Sequence, residues 1–482
     1  MKKKEFEIYV LITIVFFGIL IKMEYATDTY SVFNFNSEQI YWQYASSGRF
    51  ITAIVGKLIK AINLSEYAIY LGSYIIAIIC AIISQYKLYT IIEKNVKSKA
   101  LKLIIPTLII INPFSIELFL YIEKGIMWFG ILMCIMALEN TKKYLEASNN
   151  MLKIKYIFFA ILFMFFANCS YQGIIGIFIS ISLVYILKYS QNLKHFFINN
   201  IIVGIIYGIP TITNYLLMKI LFKQSRVSGQ VVLLESIQKV YLKTIEMLIN
   251  MYNILPKYVF IFLILFTFGV FCSKIFKEKG RVLHFLKFLY IVAGVALVTI
   301  APQFAQCTSS IWLVPRTTYS FASLYGILLL YLAINFELKE IEKILILVIS
   351  CILILLQLQK FIQIENSRFE LNKKDEQITM QIIDRIKDYE LQTNNQICEL
   401  SVYQDQKPNY TYSGIFATGD INVKCYANEW STVSILNYYL KRELKLIPKD
   451  ENISKEISKK NWDNFDQEQI KFEKDKLIIC NY

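Results

Sequence analysis

The stretch ILILVISCILILL, Ile344 to Leu356, contains no charge, no proline and no glycine. Apolar on every side, it has no polar face to turn toward water, so it reads as the centre of a membrane-spanning helix over 343–360. Such a helix needs about 20 mostly apolar residues, and unpaired backbone groups are not tolerated in lipid. Upstream, further apolar blocks recur at 6–22, 66–92, 101–121, 125–140, 154–168, 173–188, 198–222, 257–273, 284–301 and 319–336. Blocks of this length exclude a barrel, whose strands are shorter and alternate. The expected fold class is an all-α polytopic membrane protein of eleven spans. Its transmembrane domain covers 1–360, and a small α/β domain covers 361–482.

Composition agrees: 56% of the 482 residues are hydrophobic and the mean hydropathy is +0.45. The net charge of +14 would suit a nucleic-acid binder if it were clustered on one surface. Instead Lys94, Lys97, Lys142, Lys143, Lys188, Lys194, Lys274 and Lys339 all fall in loops that alternate topology puts on one side. Lysines flanking spans mark the cytoplasmic face. The N-terminus is therefore expected inside and the tail outside, with no nucleic-acid partner. No phosphate-binding glycine loop or dinucleotide fingerprint occurs, which argues against a nucleotide-driven transporter. Two histidines and scattered cysteines without a C-x-x-C pair make a metal site improbable, and no cofactor is expected. In the tail an oxidising compartment would allow, without requiring, a Cys398–Cys425 disulfide.

The outer loops hold the polar residues that need an explanation. Outer loop 22–65 carries Glu24, Asp28, Glu38 and Arg49 among Tyr25, Tyr30, Phe33, Tyr41, Trp42 and Tyr44. Ser37–Tyr44 and Phe50–Ile62 read as helices lying on the outer surface. Aromatics belong at the interface and also stack on sugar rings. A carboxylate there can act as general base toward an acceptor hydroxyl, and an arginine can pair bidentately with a lipid phosphate.

Asn112-Pro113-Phe114 interrupts the third span and leaves Glu117 and Glu123 beside it, followed by Lys124. Ser170-Tyr171-Gln172 forms a very short outer turn. Arg316, after Pro315, is the only Arg or Lys between Lys287 and Lys339. An isolated cation on the non-cytoplasmic side calls for an anion, either lipid head groups or a bound phosphate. The outer loop 223–256 has an apolar helical period at Val231, Leu234, Ile237, Val240, Tyr241, Ile245 and Leu248. The tail opens with an amphipathic helix over roughly 366–392. Strands are expected near Glu399–Tyr403 and Ile421–Tyr426, and an exposed loop near 450–465. Tyr403, Tyr426, Trp430 and Leu436 are among the residues available for a core.

In this order, Asp28, Gly48-Arg49, Asn112-Pro113-Phe114 with Glu117 and Glu123, Tyr171-Gln172 and Pro315-Arg316 resemble the Gtr-type O-antigen glucosyltransferases. The resemblance runs over roughly 5–395. It implies a GT-C class membrane enzyme of the bacterial cell membrane, for which no metal is obligatory, since only one donor phosphate needs neutralising. Such an enzyme takes a sugar, usually glucose, from an undecaprenyl-phosphate donor and attaches it to a surface polysaccharide outside the cytoplasm. On this reading Asp28, with or without Glu24, is the catalytic acid–base residue. Arg49, Glu117, Glu123, Tyr171, Gln172 and Arg316 bind the donor phosphate or substrate. The chain departs from the family in having Thr27 and Thr29 where a second acid often adjoins the first, and Lys124 where a small polar residue is commoner. An Ile-, Lys- and Asn-rich composition suggests an AT-rich bacterium, whose acceptor would be a cell-wall polysaccharide or teichoic acid. A flippase for lipid-linked sugars would need polar residues in mid-span and repeated halves. A polymerase or ligase would need a large outer loop rich in Arg or His. Neither pattern is present.

Overall fold

The computed structural model describes residues 3–222, 233–276, 281–305 and 313–481, and the chain is predominantly helical. Six described helices are long and apolar enough to cross a membrane: Glu66–Ile92, Asn150–Ser170, Gln172–Tyr189, Leu193–Leu221, Arg281–Ile300 and Glu340–Thr393. The other expected spans are shorter, as at Val259–Ile275 and Leu324–Asn335, or carry charges, as at Lys124–Glu146. The chain divides into two compact units.

The first unit comprises Met1–Ile21, Ser37–Phe119 and Glu123–Phe361. Its helices pack through small residues and buried polar bridges, as membrane bundles do. A Cβ at Gly125 would lie 2.8 Å from the Ser73 carbonyl oxygen, so glycine there lets two helices approach. The Gly125 N–H donates to Ser73 Oγ at 3.0 Å. Gln85 Nε2 donates to Thr13 Oγ1 at 2.9 Å, and Thr107 donates to Gln85 Oε1 at 3.1 Å, joining three helices. Aromatic packing fills the space between, with Phe17 stacked on Phe119 at 4.0 Å and Trp128 buried against both.

The third span breaks where Asn112-Pro113 stands. One helix ends at Ile110 and a short one resumes at Ser115–Phe119. Ser37–Ala45 and Phe50–Ile62 are both helical. The loop helix runs Leu233–Asn250; Val231 lies outside the described residues. The expected apolar face is only partly enclosed. Val240 and Met247 are buried, but Ile237 and Tyr241 are exposed, because a helix of this polarity packs along a narrower stripe than its sequence period suggests.

The second unit comprises Lys22–Asn36, Leu120–Ile122 and Ile362–Tyr482. Its sheet has the order Lys445–Leu446, Glu399–Gln404, Lys476–Asn481, Ile470–Glu473. The first three strands are parallel, and Ile470–Glu473 joins antiparallel. Leu400, Val402, Leu477 and Ile479 pack with Ile382, Ile386 and Leu436 in one core. Tyr403, Tyr426 and Leu436 are buried as anticipated, whereas Trp430 is exposed.

Three expectations are corrected here. Residues 421–426 do not form a strand. Asn422 takes a positive φ of 58°, and Ile421 makes only an isolated bridge to Thr418. The region near 450–465 holds a helix, Glu451–Ile457, because the Asp450 side chain caps it by accepting from Asn452 N and Ile453 N. The last span and the tail helix are one helix, Glu340–Thr393, since no glycine or proline occurs anywhere in it. Cys398 and Cys425 are both free thiols, the first exposed and the second buried.

Candidate active site

Six of the residues selected from the sequence converge in the first unit, and their order begins with a turn. Gly48 has φ of 74°, the left-handed region that glycine enters without steric cost. That turn ends the helix Ser37–Ala45 and starts Phe50–Ile62 at Arg49. Two side chains from distant parts of the chain clamp it. Asn214 Nδ2 donates to the Gly48 carbonyl at 2.7 Å, and Gln172 Nε2 donates to the Ser47 carbonyl at 3.1 Å. Gln172 thus supports the backbone that presents Arg49.

The Arg49 guanidinium lies over the Tyr171 ring at 4.7 Å and 3.8 Å from Glu123 Oε1. On the same tyrosine a second arginine converges: burial pushes the Tyr171 hydroxyl up, and the charge of Arg316 draws it down against that larger effect. Gly173 completes the close fit. A Cβ there would meet the Tyr171 ring at 2.6 Å and the Arg316 carbonyl oxygen at 2.9 Å.

Arg316 is fixed by Glu117. Its Nη1 donates to Glu117 Oε1 at 2.8 Å, and its backbone N–H donates to Oε2 of the same carboxylate. Glu117 is fully buried, and it stands there because Asn112 shapes the break before it. Asn112 Oδ1 accepts from Phe114 N at 2.9 Å, while Nδ2 donates to Ser323 Oγ at 2.9 Å and the Tyr319 carbonyl at 3.2 Å. The Asn-Pro-Phe break therefore locks the end of one helix onto the segment that follows Arg316. Lys124 is also buried, with Nζ 3.7 Å from the centre of the Tyr70 ring.

The remaining candidates, Glu24 and Asp28, belong to the second unit. Glu24 is 9% exposed and pairs with Arg368 Nε at 3.4 Å; Arg368 also donates to the Leu120 carbonyl at 3.1 Å. Tyr25 exchanges two hydrogen bonds with Asn372, at 3.0 and 2.8 Å. Asp28 stands in the first turn of Thr27–Asn34, where the helix dipole favours a negative charge. It is half-buried, and its charge helps push the nearby Cys425 thiol upward, after the larger effect of burial. Tyr25, just before this helix, stacks on Tyr30 within it at 4.8 Å.

Deeper in the second unit, Asp375 accepts from the Tyr412 hydroxyl at 2.7 Å and from Cys425 N at 3.1 Å. Burial raises its carboxyl to about 6. Burial also lowers neighbouring Lys424 to about 8.

Sequence reasoning missed Asn214, Arg368 and Asn372. Asn214 was hidden inside an apolar span, where a buried amide signals a partner. Arg368 and Asn372 were absorbed into the pattern of an amphipathic helix. Chemically, the first unit offers two arginines, each balanced by a carboxylate, around one tyrosine; this arrangement suits recognition of a phosphate. The second unit offers two carboxylates, Asp28, which is half-buried, and Glu24, which is paired with a buried guanidinium.

No match was found among the curated proteins. A family model described as glucosyl transferase GtrII matches residues 16–333, a span that includes Asp28 and all the residues clustered around Tyr171. On that match over most of its length, the chain belongs to the GtrII glucosyltransferase family and is a glycosyltransferase with membrane helices.

Proposed function

We propose that this protein transfers a sugar, glucose by family analogy, from an undecaprenyl-phosphate carrier to a surface polysaccharide or teichoic acid outside the cytoplasmic membrane. The observation that carries this reading is the convergence of Arg49 and Arg316 on Tyr171. A lipid-linked donor cannot leave the bilayer, so its phosphate must be met by cations at head-group depth. Arginine does this better than lysine because its planar fork matches phosphate oxygens. The lysine pattern supports eleven crossings with the N-terminus inside and the tail on the acceptor side.

In the reaction, an acceptor hydroxyl attacks the anomeric carbon of the donor sugar and the bond from that carbon to the carrier phosphate oxygen breaks. The electron pair leaves with the phosphate, where Arg49 and Arg316 stabilise the growing charge. The hydroxyl proton passes to Asp28 as general base. A single displacement inverts the configuration at that carbon. Glu117 and Glu123 orient the arginines, and Gln172 holds the turn that carries Arg49.

The test is transfer of labelled sugar from a polyprenyl-phosphate donor to cell-surface polymer in membranes containing the protein. Transfer that depends on Asp28, Arg49 and Arg316 supports the reading. No transfer with any polyprenyl-phosphate hexose would overturn it.

A further inference from the structure

The second unit contains a cleft of about 410 Å³ lined by Arg385, Glu456, Lys460, Trp462, Glu468 and Lys471, among others. Its volume falls within the roughly 300–1,000 Å³ of small-molecule sites. The cleft is not part of the donor chemistry described above.

Three of its features point the same way. The first is a fixed aromatic wall. Trp462 is half-buried, packs beside Tyr403 and Ile457, and has its backbone N–H held by Asp405 Oδ2 at 3.0 Å. A tryptophan so held offers a flat apolar surface to a sugar ring at little cost in side-chain entropy.

The second is charge. Residues 362–482 carry 17 Lys and Arg against 20 Asp and Glu, so this stretch is acidic on balance. Within the cleft the sign reverses, since three cations stand against two carboxylates.

The third is that those cations are available. Lys471 pairs with Glu456 at 3.1 Å and Lys460 with Glu468 at 3.7 Å, all four about half exposed or more. Exposed pairs contribute only about 0–1 kcal/mol each, so an incoming anion can exchange with the carboxylates. Arg385 gives one N–H to the Gln467 carbonyl at 2.6 Å. Its guanidinium also lies 5.9 Å from the centre of the Phe472 ring, and with five N–H groups it keeps donors to offer an anion.

We propose that this cleft is a binding subsite for an anionic saccharide segment of the acceptor polymer, with the sugar on Trp462 and its negative group between Arg385, Lys460 and Lys471. The proposal rests on the transfer reading above in assigning the ligand to the acceptor, and it concerns only acceptor recognition. The anionic group is a phosphodiester or a carboxylate.

The experiment uses the full-length protein in nanodiscs of phosphatidylcholine and measures equilibrium binding without any donor. The probes are an oligo(glycerol phosphate) bearing glucose, an oligogalacturonate and a neutral dextran oligomer. Binding of either anionic probe, weakened about tenfold or more by Lys460→Gln/Lys471→Gln (~1.4 kcal/mol) and unchanged by Lys407→Gln outside the cleft, is expected. The anion that binds distinguishes phosphodiester from carboxylate. Trp462→Phe should weaken binding less than Trp462→Ala, and unchanged thermal unfolding of the lysine variant would confirm that it folds. Equal binding of the neutral oligomer, no binding of either anion, or an unaffected lysine variant would overturn the proposal. The transfer assay fails or succeeds independently, because this measurement contains no donor.

Discussion

Glu117 and Arg316 are held together twice, once by the guanidinium at 2.8 Å and once by the arginine's own backbone N–H. With the carboxylate fully enclosed, its negative charge has no access to water. Removing one partner of a buried pair costs about 3–5 kcal/mol. Glu117→Ala should therefore lower the unfolding midpoint of the detergent-solubilised protein markedly. Glu117→Gln/Arg316→Gln should cost less than the two single changes added together. Additive losses would show that the two residues are not energetically coupled.

Asp28 is the residue on which the chemistry is expected to depend. Asp28→Asn preserves size and most hydrogen bonding but cannot take the proton. Transfer should fall by about two to four orders of magnitude, with protein level and membrane insertion near normal. A near-normal rate would move the base elsewhere. Glu24 would then require separation from Arg368, and Glu117 from Arg316.

Arg49 combines a charge with a stacked plane. Arg49→Lys keeps the first and loses the second, so donor KM should rise less than in Arg49→Ala. Tyr171→Leu, which removes the face under the guanidinium, should raise donor KM as well, in keeping with the roughly 0.5–2 kcal/mol of such contacts. Identical kinetics for Arg49→Lys and the unmodified protein would reduce the arginine to a point charge.

Burial makes the Asp375 carboxyl harder to ionise in the folded chain, raising it from 3.8 to about 6. Its contribution to stability is thus fully present below about pH 4 and is lost as pH rises through 6. Asp375→Asn cannot ionise. The stability of the unmodified protein minus that of the variant should therefore fall by on the order of 2–3 kcal/mol between pH 4 and 7. Hydrogen exchange of amides near 375 and 425 reports this directly. A difference independent of pH would show that Asp375 keeps an ordinary carboxyl.

Gly48→Ala forces a side chain into a left-handed backbone, where its Cβ would stand 2.3 Å from Asn214 Oδ1 and 2.9 Å from Gln172 Nε2. Strain of about 1–3 kcal/mol is expected, together with reduced transfer because the turn presents Arg49. Adding Asn214→Ala should restore part of the stability but not all, since the backbone conformation remains unfavourable. Full restoration would mean that only the clash mattered.

The membrane character and the residues clustered around Tyr171 were legible because polar groups at the ends of apolar helices are rare and need partners. Arg316 stood out as a lone cation, and Asn112-Pro113 stood out as a break. Their mutual contacts were not legible, since Glu117 and Arg316 are separated by 199 positions. Asn214 escaped for the same reason, its partner Gly48 lying 166 positions away. The continuity of Glu340–Thr393 was missed because the change from apolar to amphipathic composition looked like a boundary. Composition sets what surrounds a helix; only glycine, proline or a cap ends it. The irregular path at 421–426 was equally hidden, because the alternation of Ile421, Val423 and Cys425 mimics a strand while Asp375 draws the Cys425 N–H out of any ladder.

The clamp on the turn before Arg49 also bears on how related sequences can drift. Position 48 is confined by its own backbone and by two amides contributed from far along the chain. A relative that replaces the glycine should carry a shorter side chain at position 214, and asparagine or aspartate should be the commonest replacements at 48, since they enter the left-handed region most readily. Covariation between positions 48, 172 and 214 would then record, across the family, a mechanical constraint that no single sequence displays.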